Sequence, residues 1–366
     1  MKRIILIFLS IWITSCGNNQ TDTGDFNSEA VSQTVYQWKM VTTWPKNLPG
    51  LGTAPERMAK KIEIMSNGRL KIKVYGAGEI VPAMEVFETV SQGTVQLGHG
   101  ASYYWKGKVP IAQFFTAVPF GLTAQEMNGW LLHGGGLELW RELYERYNLF
   151  PIPSGNTGVQ MAGWFNKEIT SLKDIEGLKM RIPGLGGEVF SRAGGAAVRM
   201  PASEIYSSMQ TGVIDATEWV GPYNDLALGL HQTAKFYYYP GWQEAGPALE
   251  LIVNKEAWNN LPPDLQAILE TASLAANTDM LAEYTARNNF ALRELVDKHG
   301  VELKRLPDDV LETFREISYE MTAGIPDVED ELSQRIYQSY DEYRKGVINY
   351  HEISERAFIN VRGDGK

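Results

Sequence analysis

Leu70-Lys71-Ile72-Lys73-Val74-Tyr75 alternates apolar and polar side chains, the period-two pattern of a β-strand with one face toward a core. Val35-Tyr36-Gln37-Trp38-Lys39-Met40-Val41 alternates in the same way upstream. Between them lies a helical pattern with Met58, Ile62 and Met65 as apolar residues, Thr53 as its expected cap and Asn67-Gly68 as its stop. Strand, helix and strand in succession predict a parallel sheet and an α/β fold.

Working outward, a helix is expected from Ala83 to Gln92, a short strand near Val95 to Gly98, and a helix from Thr123 to about Asn148. Strands are expected from Phe150, at Leu178 to Pro183, at Val213-Ile214 and at Leu249 to Val253, the last placed to cross back to the first lobe. After Trp258 the pattern is helical, with segments near Leu265 to His299, Asp308 to Glu320 and Val328 to Arg356.

The chain has 366 residues, 44% hydrophobic and 21% charged, enough for two domains. A formal net charge of -10 argues against nucleic acid or anionic lipid headgroups as the main partner. It leaves room for an anionic ligand, because one buried Arg outweighs diffuse surface charge at short range. Cys16 is the one cysteine, which rules out an internal disulfide and a cysteine metal cluster. Met1-Lys2-Arg3 is a positive n-region, Ile4 to Ile13 an apolar run, and Ile13-Thr14-Ser15-Cys16 resembles the lipobox of bacterial lipoproteins. Residues 1–15 then read as a signal peptide, Cys16 as a diacylated N-terminus, and residues 16–34 as a flexible tether.

Asp215-Ala216-Thr217-Glu218-Trp219-Val220-Gly221-Pro222 places an acid and a flat aromatic before a Gly-Pro break. Alone, the octapeptide reads equally well as a solvated Glu beside a core Trp. Its company favours a site: Gly155-Asn156-Thr157-Gly158-Val159-Gln160, where amides interrupt a strand-like run, and Arg181 near the carboxyl end of a strand. Arg181 suits a carboxylate, which its planar fork can hold by two parallel hydrogen bonds. Glu218, Glu244 and the Gln160 amide are hard oxygen donors, suited to Na⁺ or Ca²⁺ rather than zinc. Tyr103, Tyr104 and Trp219 either wall a pocket or fill core. The five histidines are scattered, and no G-x-S-x-G elbow or C-x-x-C occurs. Gly184 to Ala196 is Gly-rich but lacks both phosphate-loop patterns, and is assigned to turn and helix packing.

Lys179-Met180-Arg181, Asp215 to Pro222 and Tyr237-Tyr238-Tyr239-Pro240-Gly241-Trp242 resemble the solute-binding proteins of TRAP transporters. The likeness points to the branch that binds 2-oxo and 2-hydroxy monocarboxylates such as pyruvate or lactate with a metal ion. It implies that Arg181 binds the ligand carboxylate, with Tyr103, Tyr104, Asn156 and Trp219 as further ligand contacts. It implies that Gln160, Glu218, Glu244 and the Trp219 carbonyl surround the cation. It also implies a two-lobed periplasmic binding protein fold with crossing strands: residues 35–154 with part of 250–325 as lobe I, 155–249 as lobe II, and 326–366 as a long C-terminal helix for a homodimer. The partners would be a small organic acid anion, the TRAP membrane permease and, through Cys16, a membrane. The competing reading is a metal-assisted lyase or hydrolase acting on an oxo acid. The particular acid, Na⁺ against Ca²⁺ and the anchoring membrane stay open.

Overall fold

The computed structural model describes residues 34–363; the signal, the lipobox and nearly all of the tether lie outside the described residues. Strands are β1 (Tyr36–Thr42), β2 (Leu70–Tyr75), β3 (Leu97–Gly100), β4 (Leu149–Asn156), β5 (Gly163–Phe165), β6 (Lys179–Arg181), β7 (Ala196–Val198), β8 (Ala216–Thr217), β9 (Phe236–Tyr239), β10 (Ala248–Asn254) and β11 (Glu302–Arg305). They form two sheets, one ordered β2-β1-β3-β10-β4 and the other β11-β9-β5-β8-β6-β7.

The opening strand-helix-strand does make a parallel pair, in register from Tyr36 against Leu70 to Val41 against Tyr75. Helix Thr53–Met65 lies between the two strands in sequence, and its Met58 and Ile62 join Trp38, Met40, Leu70 and Leu97 in an apolar layer. Leu251, Val253, Leu265 and Leu269 close that layer from β10 and the helix Pro263–Asp297. Lys71 and Lys73 are exposed on β2, where edge charge discourages further strand pairing.

The chain leaves the first sheet after β4 and returns as β10, antiparallel to both β3 and β4. Two segments therefore cross between the sheets, 157–162 and 240–247. The helix Pro263–Asp297 then carries the chain out again to β11, which pairs with β9. No helix among the described residues is long and apolar enough to span a membrane.

Several local expectations need correction. The helix expected from Thr123 to Asn148 is two, Ala124–His133 and Gly136–Glu145. Gly135 between them has φ 86°, a left-handed turn that glycine takes without strain. Thr53 sits inside its helix rather than capping it, and its hydroxyl accepts from Arg57. Val213 is exposed, and only Ala216–Thr217 pair as the strand before Glu218. The last helix is broken near Ser354, into Glu331–Ile353 and Glu355–Val361.

Candidate ligand and cation site

β6 and β8 run parallel with Arg181 opposite Thr217, and the Glu218 amide donates to the Arg181 carbonyl at 3.1 Å. The pairing sets the two side chains next to each other as both strands end. Arg181 Nη1 donates to Glu218 Oε1 at 2.6 Å and to the Glu218 carbonyl at 2.9 Å, while Nε donates to the Met200 carbonyl at 3.2 Å. Its guanidinium carbon lies 4.9 Å from the Trp219 ring centre, within cation–π range. Sequence reasoning gave Arg181 to the ligand and Glu218 to a cation; the direct ion pair between them was not expected.

Gln160 and Glu244 come from the two crossing segments. The Gln160 amide donates to the Glu244 carbonyl at 3.0 Å, and Gln160 Nε2 donates to Glu244 Oε2 at 2.9 Å. Asn156 ties the same crossings, accepting from the Gly158 amide at 2.8 Å and donating to the Gly246 carbonyl at 3.1 Å. Both ends of its amide are thus held by backbone. Gly241 makes the crossing possible: a Cβ there would meet the Gln160 carbonyl oxygen at 2.1 Å.

The first lobe supplies the cover. Tyr103 and Tyr104, in the turn Ser102–Trp105, meet edge to face at 4.8 Å. The Trp44 ring lies 6.1 Å from Tyr104 and 6.4 Å from Trp219. Trp44 is fixed in turn, its Nε1 donating to His99 Nδ1 at 2.9 Å. Arg181, Glu218, Glu244, Gln160, Tyr103, Tyr104 and Trp219 are all buried, so every candidate read from sequence falls inside or around one sealed cluster, with Asn156 at its edge.

That cluster has polar atoms left over. Arg181 Nη2, Trp219 Nε1, Gln160 Oε1 and Glu218 Oε2 are buried without a hydrogen-bond partner, a costly state for groups that water would otherwise solvate. Burial raises Glu218 well above the usual carboxylate range, against the pull of Arg181 and with a push from Glu244. Burial also raises Glu244 to about 7, offset in part by Arg181, Tyr103 and Gln160. A hard cation with a carboxylate ligand fits the chemistry of this donor set: two acids and an amide oxygen would suit the cation, and an unpartnered guanidinium nitrogen would suit the anion. Among the described residues there is no group of three or more His, Cys, Asp or Glu able to hold a metal, so any cation here relies on amide and main-chain oxygens beside two acids.

Two supporting residues were missed by sequence reasoning. Asp225 lies behind the Glu218–Gly221 turn and accepts from Trp164 Nε1 at 2.9 Å, Tyr237 Oη at 2.7 Å and the Gly221 amide at 3.2 Å. Its signal was weak, an acid in the first turn of a helix opened by Pro222. His99 is fully buried and held near 4 by that burial.

A buried polar cluster between two sheets, built where two chain segments cross, is the architecture of a two-lobed ligand-binding protein. Residues 40–325 match the bacterial extracellular solute-binding proteins, family 7 (DctP), and the chain belongs to that family. The monocarboxylate 2-oxoacid-binding periplasmic protein all3028 of Nostoc sp. is 44% identical over 324 residues, 88% of this chain and 88% of its own. A TRAP periplasmic solute-binding protein of Pseudoalteromonas atlantica, solved with bound sodium and pyruvate, is 40% identical, with TM-score 0.86, covering 90% of this chain and 99% of that one. A TRAP transporter solute-binding protein of Bordetella bronchiseptica, solved as a mixed-occupancy dimer with copurified calcium and picolinate, is 36% identical, with TM-score 0.87, covering 89% and 97%. The expected two-lobed TRAP receptor fold, with a long helix near the C-terminus, is the fold observed.

Proposed function

We propose that this receptor binds a small 2-oxo or 2-hydroxy monocarboxylate, of the pyruvate or lactate kind, together with Na⁺ or Ca²⁺, and delivers it to a TRAP membrane permease. The observation that carries this reading is the set of unpartnered buried atoms in a single cluster, a guanidinium and an indole donor with two oxygen acceptors. The relatives solved with pyruvate and sodium, or with picolinate and calcium, support it. Arg181 Nη2 takes the ligand carboxylate. Glu218, Glu244, Gln160 and the Trp219 carbonyl hold the cation, while Tyr103 and Tyr104 close the ligand in and Asn156 fixes the crossing beside it. When bound, the cation supplies positive charge between two buried acids and an oxygen-seeking centre for the ligand.

Binding rather than turnover is favoured by membership of a solute-binding family, and the buried histidine beside the cover adds no free acid or base. His99 meets Trp44 Nε1 on one ring nitrogen and the Ser154 carbonyl on the other, the latter at 3.2 Å. It therefore has no nitrogen to offer as an acid or base. Incubation of purified protein with pyruvate or lactate plus Ca²⁺ is expected to raise Tm without consuming the acid. Turnover would favour a lyase or hydrolase instead.

The same reading places the protein in the periplasm, held by acyl chains on Cys16 and, in a Gram-negative host, at the outer membrane, because Gly17 rather than Asp follows the cysteine. Cys16→Ala is expected to release it into the soluble fraction with binding unchanged. Wild type that fractionates as soluble and carries no lipid mass would remove the anchor. The apolar C-terminal residues Ile353, Phe358 and Val361, all exposed in the single chain, support a homodimer.

A further inference from the structure

The helix Pro222–Ala227 touches both the candidate site and the opposite lobe. On one side Asp225 holds the Gly221 amide and, through Trp164 and Tyr237, the strands β5 and β9 of the second sheet. On the other side the neighbouring Asn224 donates to the Pro49 carbonyl at 2.6 Å, in the loop after β1, and accepts from Tyr284 Oη at 2.6 Å. Tyr223 extends the contact, its amide donating to Asn288 Oδ1 at 2.9 Å and its hydroxyl to Glu283 at 3.1 Å. Tyr284, Asn288 and Glu283 lie on the helix Pro263–Asp297, which also packs on the first sheet. Gly50 fits against Tyr284 so closely that a Cβ would meet the hydroxyl oxygen at 2.6 Å and the ring at 2.7 Å. Asn224 and Asp225 are both buried, so losing either set of bonds leaves polar groups stranded.

Glu218 and Trp219 sit four and three residues before this helix starts, on the turn that Asp225 fastens. Asp225 thus fastens the turn, and its neighbour Asn224 fastens the start of the helix to Pro49 and Tyr284. We propose that Asn224 and Asp225 form a two-ended coupler, in which Asp225 positions the Glu218–Trp219 turn and Asn224 ties that turn to the opposite lobe, favouring the closed form of the two lobes. The coupler rests on the binding reading above, but its closure half can be tested without any ligand. Bonds present in the closed form and absent from the open one bias the equilibrium between them, and a ligand that needs the closed form inherits that bias.

The test uses the full chain with Cys16→Ser and spin labels at Lys73→Cys and Glu204→Cys, one exposed residue beside each sheet. Inter-lobe distances are measured with and without pyruvate plus Ca²⁺, and pyruvate and Ca²⁺ binding are followed by calorimetry and stopped flow. Asn224→Ala is expected to shrink the short-distance population of the free protein and to speed pyruvate release about tenfold, with association little changed. Asp225→Asn is expected to weaken Ca²⁺ binding about tenfold while leaving the free distances near wild type. Tyr237→Phe, a milder cut at the same carboxylate, reports on the turn if Asp225→Asn folds poorly. Unchanged distances and release in Asn224→Ala overturn the coupler, as does a wild type with no short-distance population under either condition. If wild type binds neither pyruvate nor Ca²⁺ but Asn224→Ala still loses the short distance, the coupler stands and the ligand assignment falls.

Discussion

Arg181 serves two partners at once: Nη1 neutralises Glu218, and Nη2 is free for an anion. Arg181→Ala therefore removes more than ligand affinity. It leaves Glu218 buried without its counter-charge, a change of about 3–5 kcal/mol in comparable pairs, so the variant should unfold at lower denaturant as well as fail to bind. Arg181→Lys keeps a charge near Glu218 but loses the fork; stability should largely return while acid affinity stays at least about tenfold down. Calorimetry beside urea denaturation separates the two, and wild-type affinity in Arg181→Ala would move the carboxylate site elsewhere. Glu244 gives a second test through pH. Its folded value, about 7, lies above the ordinary 4.5 because burial disfavours the charge. Its contribution to ligand-free stability is thus fully present below about 4.5 and lost as pH rises through about 7. Cation binding needs the ionised acid, so Ca²⁺ affinity should rise over the same range. Glu244→Gln should flatten both trends in Tm measured against pH, with and without Ca²⁺; slopes identical to wild type would remove Glu244 from the site. From sequence, the residue types of this cluster were legible because an acid, an amide and an Arg each fell at an expected strand end or break. The Arg181–Glu218 pair was not, because it depends on the parallel register of β6 and β8, which no local pattern encodes.

Among the elements, clean strand alternation was legible, while a break inside a long helical pattern and a short charged strand were not. β1 and β2 alternate over six or seven residues and emerged as expected, whereas β11 is four residues, Glu302-Leu303-Lys304-Arg305, three of them charged. Its strand character comes from pairing with β9, a tertiary cause. The crossing 240–247 offers a sharp structural test. Gly241→Ala would drive a methyl group into the Gln160 carbonyl and push apart the two segments that carry Gln160 and Glu244. A loss of about 1–3 kcal/mol is expected by analogy with overpacked cores, with a matching fall in Ca²⁺ affinity; wild-type values for both would mean the crossings are looser than this packing implies. The C-terminal helices offer another. Deleting residues 354–366 removes Phe358, Ile359 and Val361, apolar and exposed in the single chain. If these mediate the homodimer, the truncated chain should run as a monomer in light scattering while still binding ligand; a dimer of unchanged strength would place the interface elsewhere.

At the scale of the whole molecule, the proposed site between the two crossings would make anion and cation interdependent. Burial raises the pKa of both Glu218 and Glu244 toward the neutral form, with Glu244 adding to the push on Glu218, so two bare charges are costly together. With a cation present both acids could ionise, leaving Arg181 Nη2, beside Trp219 Nε1, as a buried donor for a carboxylate. A 2-oxo or 2-hydroxy acid brings a second oxygen beside its carboxylate, whereas a plain monocarboxylate such as propionate does not. Linkage then requires that the acid and the cation each raise the other's affinity by the same factor. Pyruvate should bind much more weakly after rigorous removal of metal, and recover with Na⁺ or Ca²⁺. Propionate should gain far less from either cation. Glu218→Gln keeps the volume but removes one charge, so it should weaken Ca²⁺ and pyruvate together and shrink the coupling between them. The measurement is a grid of calorimetric titrations, pyruvate and propionate against wild type and Glu218→Gln, each metal-free and with either cation. Pyruvate affinity indifferent to both cations in metal-free wild type would dissolve the shared site and return Gln160, Glu218 and Glu244 to a purely structural role at the crossing.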